Sequence, residues 1–132
     1  MANRPTDPEA AFRFLAEQMV SPQYLDAHPE YVEFMRERAR NPIPAYCQKL
    51  HYHASEGHDS WDRLPEITAP VLVIHGTNDQ INVTANAPLL AGRIPGAELR
   101  YIEGGRHGYF VEFRDEASAA VRDFLERHPL PA

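Results

Sequence analysis

Cysteine is nearly absent from this 132-residue chain: Cys47 stands alone. No intramolecular disulfide can form, and a reducing compartment suits the molecule. Lysine is equally scarce, with Lys49 the single one among 13 basic residues. We read that bias toward arginine as a lineage habit without functional weight. The acidic residues number 19, giving a formal net charge of −6. A phosphate backbone requires a clustered positive surface, so no nucleic-acid partner is expected. No apolar run approaches the ~20 residues needed to span a bilayer, and no apolar stretch follows Met1-Ala2-Asn3-Arg4-Pro5 as it would in a secretory signal. The cytoplasm is therefore the expected location, with no membrane partner. Internal repeats and low-complexity segments are also missing.

What is present is the composition of an ordinary globular protein, 43% apolar and 24% charged, at a length that makes one domain with a real core. The chain is organised around two short apolar runs that end in glycine and then deliver one acid or base. Val71-Leu72-Val73-Ile74 is uncharged and β-branched, which suits a strand covered on both faces in a parallel sheet. It leads through His75-Gly76-Thr77-Asn78 to Asp79. Leu99, Tyr101 and Ile102 form the second run, released by Gly104-Gly105 into Arg106-His107. Between them, Thr84 to Ile94 reads as a helix with Thr84 as N-cap, Pro88 near the first turn, and Leu89, Leu90 and Ile94 on one face. Strand, helix, strand over this length predicts a β-α-β unit with a right-handed crossover. Both strands then run the same way and bring Asp79 and His107 to the carboxyl edge of the sheet, where open α/β sheets bind ligands. An acid and an imidazole meeting there can form a pair in which the carboxylate fixes the tautomer and the free nitrogen acts as general base. Asp79 alone could be a turn residue and His107 alone a loop histidine; their joint placement favours the catalytic reading. His75, on the strand itself, reads as structural.

Upstream, Pro5 to Pro44 reads as short helices punctuated by proline. Asp7-Pro8 and Ser21-Pro22 are cap-plus-proline starts, with Phe12, Leu15 and Met19 along one face of the first helix. His28-Pro29 starts a third helix that Asn41-Pro42 ends, carrying Val32, Phe34 and Met35. In it Glu33 and Glu37 lie one turn from Arg36, Arg38 or Arg40, in pairs worth ~0.2–0.5 kcal/mol each. That arginine run reads as a solvated face. Pro44 to Ser55 is a fourth helix, with Tyr46, Cys47, Leu50 and Ala54 on one side and Gly57 to stop it. Cys47 reads as a small core hydrophobe lying inside its helix and away from the N-terminus that could activate it. His51, His53 and His58 do not make a convincing metal site, because helical residues two apart point to nearly opposite faces. Neither a metal nor a cofactor is expected.

The order and spacing of the two C-terminal motifs resemble the C-terminal part of the α/β-hydrolase family, in which a strand ending in His-Gly-x-x-Asp carries the triad acid and a later Gly-x-x-His loop carries the triad base. Here these are His75-Gly76-Thr77-Asn78-Asp79 and Gly104-Gly105-Arg106-His107. Leu64 to Pro70 looks like the lead-in to that strand, and Asp115 to Arg127 like the family's last helix, whose Val121, Phe124 and Leu125 should face the sheet. Gly108 to Val111 should pack beneath the histidine loop, and the tail beyond His128-Pro129 should fray. The resemblance implies a partial α/β-hydrolase fold: a helical lid segment over residues 1–64, then a core segment over 65–132 with a β-α-β unit and a C-terminal helix. Tyr24, Tyr31, Tyr46, Tyr52 and Trp61 could shape a substrate pocket in such a lid.

The family nucleophile, on a Gly-x-Ser-x-Gly turn that precedes the acid and the base, has no counterpart: Ser21, Ser55, Ser60 and Ser118 all lack that flanking. The expectation is accordingly the lid and C-terminal part of a serine-type hydrolase, encoded apart, truncated or split from its N-terminal portion. Its partners would be a small-molecule substrate and an N-terminal hydrolase segment or a second copy of itself. The alternative is a non-catalytic remnant or assembly partner. Arg106, where the family favours small residues, has three readings between which the sequence does not choose: lowering the imidazole pKa, pairing with Asp79, or meeting an acidic substrate group.

Overall fold

Residues 5–129 are described by the structure, a computed structural model. The expectations for Met1–Arg4 and for the tail from Leu130 onward lie outside those residues. The chain enters through four helices: α1 (Pro8–Met19), α2 (Pro22–Ala27), α3 (Pro29–Arg40) and α4 (Ala45–Glu56). Their starts follow from local chemistry. Asp7 accepts the N–H of Ala10 at 2.8 Å and Ser21 accepts that of Tyr24 at 3.1 Å, each ahead of a proline at the first helical position. Each such cap stabilises its helix by ~0.5–2 kcal/mol relative to alanine.

Ala16, Val20 and Leu25 form the core of this segment, with Met19, Tyr24, Tyr31, Val32, Met35 and Val111 packed around it. The arginines of α3 do more than solvate a face. Arg36 pairs with Glu9 of α1 and lies 4.4 Å over the Phe12 ring, fastening α3 to α1, while Arg40 meets Glu33 at 2.9 Å. By contrast α4 buries no residue, and Tyr46 and Leu50 on its apolar side are exposed.

A 3-10 turn (Trp61–Glu66) leads to the sheet. Strands β1 (Leu72–Gly76) and β2 (Glu98–Ile102) pair in parallel, with Leu72 opposite Glu98 and Gly76 opposite Ile102. Helix α5 (Asn86–Arg93) connects them, completing the β-α-β unit. After a short helix α6 (Tyr109–Glu112), α7 (Arg114–Arg127) packs against both strands. It follows the sheet face that carries Glu98, whose carboxylate takes a forked pair of hydrogen bonds from Arg127 at 2.7 and 2.8 Å. Ile102, Ala87, Ile94, Ala117 and Phe124 are buried around this unit; side chains of the larger kind contribute ~1.5–3 kcal/mol each. Among the described residues no helix is long and apolar enough to cross a membrane.

Several local expectations are corrected. Thr84 is not the N-cap of α5. That helix starts two residues later, after Ala85, because the Thr84 hydroxyl donates to the carbonyls of Gly76 (3.0 Å) and Thr77 (3.1 Å) and is thereby committed to the end of β1. Leu89 and Leu90 are exposed, and α5 buries Ala87 together with the following Ile94. On α7 it is Ala117 and Phe124 that face inward, with Val121 and Leu125 exposed. Leu72 to His75 are only half-buried, so β1 is not covered on both faces by the described residues. Cys47 lies in the first turn of α4, since that helix begins at Ala45 directly after Pro44.

Candidate active site

Asp79 and His107 emerge from the carboxyl ends of β1 and β2, and the two loops that carry them are laced together. The N–H of Thr77 donates to the Ile102 carbonyl at 3.1 Å and that of Asn78 to the Gly105 carbonyl at 2.8 Å. Gly104, with φ of 74°, occupies the left-handed region that favours glycine and turns its N–H onto the Thr77 hydroxyl at 2.8 Å. Gly76 allows the two loops to approach: a β-carbon there would sit 2.3 Å from the Gly105 carbonyl oxygen. Gly76 thus provides clearance for backbone against backbone, while a β-carbon at Gly105 would first meet the side chains of Tyr109 and Ile102.

Within this frame the Asp79 carboxylate is divided between two tasks. Oδ1 accepts the N–H groups of Ile81 (2.8 Å) and Asn82 (3.0 Å), while Oδ2 lies 3.0 Å from Nδ1 of His107. Asp79 is 5% exposed, the buried charged residue among the described residues. Burial alone would push its carboxyl upward. The hydrogen bond from His107, the two backbone donors and the charge of a protonated His107 outweigh that and hold the group below the ordinary aspartate value. Aspartate at this position is therefore the ionised acceptor that fixes the histidine ring. The partner of Nδ1 accepts only, so Nδ1 carries a proton and Nε2 is the nitrogen left to exchange one. The His107 side chain is about a third exposed, which leaves that edge accessible. Among the described residues its side chain has no hydrogen-bond partner other than Asp79.

His75 stands behind the acid. Its Nδ1 donates to the Gly76 carbonyl at 2.8 Å and its Nε2 is 3.9 Å from Asp79 Oδ2, beyond hydrogen-bonding range. Tyr109 lies beneath, its hydroxyl donating to the Ile74 carbonyl at 3.4 Å; burial first, and then the nearby Asp79 charge, raise its phenol above the usual tyrosine range.

Among the described residues Arg106 does not pair with Asp79, whose ion-pair contacts are with His107 and His75. Its guanidinium donates to the main-chain carbonyl of Glu17 in the last turn of α1. The sequence carries no cue for that partner, nor for the two hydrogen bonds alongside it: His107 N–H to the Gln18 carbonyl at 3.3 Å and Gly108 N–H to the Met19 carbonyl at 2.6 Å. His51, His53 and His58 are exposed and separate, and among the described residues no group of three or more His, Cys, Asp or Glu could hold a metal ion.

No family model matches the chain. It is 28% identical to the serine hydrolase BPHL of Mus musculus over 105 residues, a match covering 68% of this chain and 36% of that protein. Among solved structures it is similar to the enol-lactonase from Burkholderia xenovorans, with 26% identity, a TM-score of 0.68, and coverage of 93% of this chain and 46% of that one. A second, an N-acyl homoserine lactone degrading enzyme, shares 34% identity with a TM-score of 0.65, covering 90% of this chain and 48% of that one. The chain thus spans about a third of the curated relative and just under half of each solved structure. It is related to the C-terminal portion of α/β-hydrolases and carries that part of their fold.

Proposed function

From that relationship we propose that this chain is the lid and C-terminal part of a serine-type α/β-hydrolase, supplying the acid and base of a Ser-His-Asp triad. Residues 1–64 form the lid in this reading and 65–132 the core segment. The observation that carries it is the 3.0 Å contact between His107 Nδ1 and Asp79 Oδ2 at the carboxyl edge of two parallel strands, with the other carboxylate oxygen held by two backbone donors. The two Oδ1 contacts are those of an Asx turn, but a turn does not require the acid's other oxygen to be aimed at an imidazole whose far edge is open, as the base of a Ser-His-Asp triad does.

The nucleophile and the oxyanion donors belong to a segment with the Gly-x-Ser-x-Gly turn, which these 132 residues do not contain. With that serine presented to Nε2 of His107, the reaction runs in balanced steps. The Oγ–H proton passes to Nε2 as Oγ bonds to the carbonyl carbon of an ester, amide or related substrate. Asp79 stabilises the resulting imidazolium. Nε2 then returns the proton to the leaving oxygen or nitrogen as its bond to carbon breaks, and water repeats the sequence to release the acid.

Hydrolysis of a short-chain activated aryl ester tests this. The 132-residue chain alone should turn over no faster than His107→Ala. Mixed or fused with an N-terminal hydrolase segment bearing the serine turn, it should gain activity that Asp79→Asn lowers by about 10⁴-fold, the loss on changing a triad aspartate to asparagine. Turnover by the chain alone that vanishes in His107→Ala would refute the incomplete-site reading, and activity insensitive to Asp79 and His107 would refute the triad.

A further inference from the structure

The C-terminal end of a helix leaves its last carbonyls without intrahelical donors. In α1 three of them in succession are taken by the histidine loop: Glu17 O by the Arg106 guanidinium, Gln18 O by the N–H of His107 and Met19 O by the N–H of Gly108. The contact is close enough that a β-carbon on Gly108 would sit 2.8 Å from the Met19 oxygen. A few residues on in both segments there is a second tie, where the Glu112 carboxylate accepts the Ser21 N–H at 2.8 Å and also its hydroxyl. A cation at this end also meets the negative pole of the helix dipole, and a charge-assisted hydrogen bond is stronger than a neutral one. Arg106 is half-buried, so solvent screens that contact less than it would a surface pair.

We propose that Arg106 is a positioning residue for His107, clamping the histidine loop to the end of α1 so that the imidazole stays in register with Asp79. The His107 main chain is held on one side by α1 and its ring on the other by Oδ2 of Asp79, and releasing the first lets the second drift. A displacement near 1 Å is enough to disable a proton-transfer geometry. One consequence concerns motion: α1 is part of the seat of the histidine, so any opening of the helical segment must leave α1 in place. The proposal rests on the triad reading for its purpose, yet its test reads the Asp79–His107 contact directly and does not depend on hydrolysis.

The test is proton NMR of the ¹⁵N-labelled 132-residue chain, following solvent exchange of the deshielded proton on His107 Nδ1. Arg106→Ala should speed that exchange at least tenfold, and Arg106→Lys, which keeps one cationic donor, should recover at least half of the change on a logarithmic scale. Asp7→Ala removes the cap at the opposite end of α1 and destabilises the same helix without touching the clamp; it should alter the exchange less than twofold. Equal exchange in wild type and Arg106→Ala, or an equal effect from Asp7→Ala, would overturn the positioning role. Absence of the Nδ1 proton signal from the wild type would overturn it too, together with the pair it serves. A clamp that behaves as expected in a chain that never gains hydrolase activity would sink the triad reading alone.

Discussion

Adding one methyl group at each of two glycines should move stability in opposite directions. A β-carbon at Gly76 would lie 2.3 Å from the Gly105 oxygen, 2.6 Å from the Gly105 carbonyl carbon and 2.9 Å from the Arg106 oxygen, all of them main-chain atoms that no rotamer change can move aside. To reach even a close van der Waals approach the two loops must part by about 1 Å. Overpacking of that kind costs about 1–3 kcal/mol. The parting also stretches the hydrogen bonds from Asn78 to Gly105 (2.8 Å) and from Thr77 to Ile102 (3.1 Å), each worth about 0.5–1.5 kcal/mol. Against this, alanine gains about 0.4–1 kcal/mol from the smaller entropy of the unfolded chain. The net loss for Gly76→Ala is about 1–6 kcal/mol, which lowers a urea midpoint by about 0.5–3 M at an m-value of ~2 kcal/mol/M. At Gly92, within α5, nothing lies within 4 Å of the added carbon, so only the entropic gain survives and the midpoint should rise by a few tenths of a molar. Urea titrations followed by far-UV circular dichroism measure both. A loss below 1 kcal/mol at Gly76 would refute the claim that main-chain clearance at the strand end is what brings the two site loops together, and any loss at Gly92 would refute the entropic account there.

The acid limb of stability should depend on Glu98. Its hydrogen bond with Arg127, opposed by burial and helped by His128, lowers its carboxyl to about 2. A folded value below the unfolded 4.5 means a contribution fully present above pH ~4.5 and lost as the pH falls toward 2. Melting temperatures recorded between pH 6 and 2.5 at low salt should fall less steeply for Glu98→Gln than for the wild type, and added salt should narrow the difference; parallel slopes would contradict the pairing. Thr84→Val deletes the hydroxyl that donates to Gly76 and Thr77 and should cost about 0.5–1.5 kcal/mol by urea titration. No loss would contradict a role for this hydroxyl in holding the end of β1.

The helix starts were legible because capping is local: Asp7 and Ser21 act on N–H groups three residues away. The same reasoning failed at Thr84, where a carbonyl eight residues back, reachable only after the chain has turned, outbids the helix for the hydroxyl. The pairing of strands, and the loop positions of Asp79 and His107, were legible from apolar runs ended by glycine. The clamp on the histidine loop was not, for a definite reason: all its acceptors are main-chain carbonyls of α1, which leave no residue-type signature at Glu17, Gln18 or Met19. Side-chain logic could name candidate partners for Arg106 only among the site's side chains and a substrate group.

Apolar periodicity marks the faces that need cover without saying what covers them, and the faces left open here are informative. Leu89, Leu90, Val121, Leu125, Tyr46 and Leu50 are apolar positions on helices and all are exposed. The two strands differ in the same sense. β2 alternates Glu98 and Arg100 with its apolar residues, the charged pattern that protects a sheet edge from further pairing, whereas β1 runs Leu72-Val73-Ile74 without a charge. Beside β1 a groove of about 610 Å³ opens between Ile74, Tyr109, Phe110 and Val121, and Phe110 on its wall is 56% exposed. A strand that joined this sheet would meet fewer charges on β1 than on β2 and would find apolar surface waiting beside it. Such a strand would end at the same carboxyl edge as Asp79 if it ran parallel to its neighbour, so a nucleophile placed just after it would arrive on the side of the sheet where the imidazole is open. The uncharged strand and the groove beside it favour β1 as the edge that is filled, and Val73→Lys should then block reconstitution of activity while leaving β1 paired with β2.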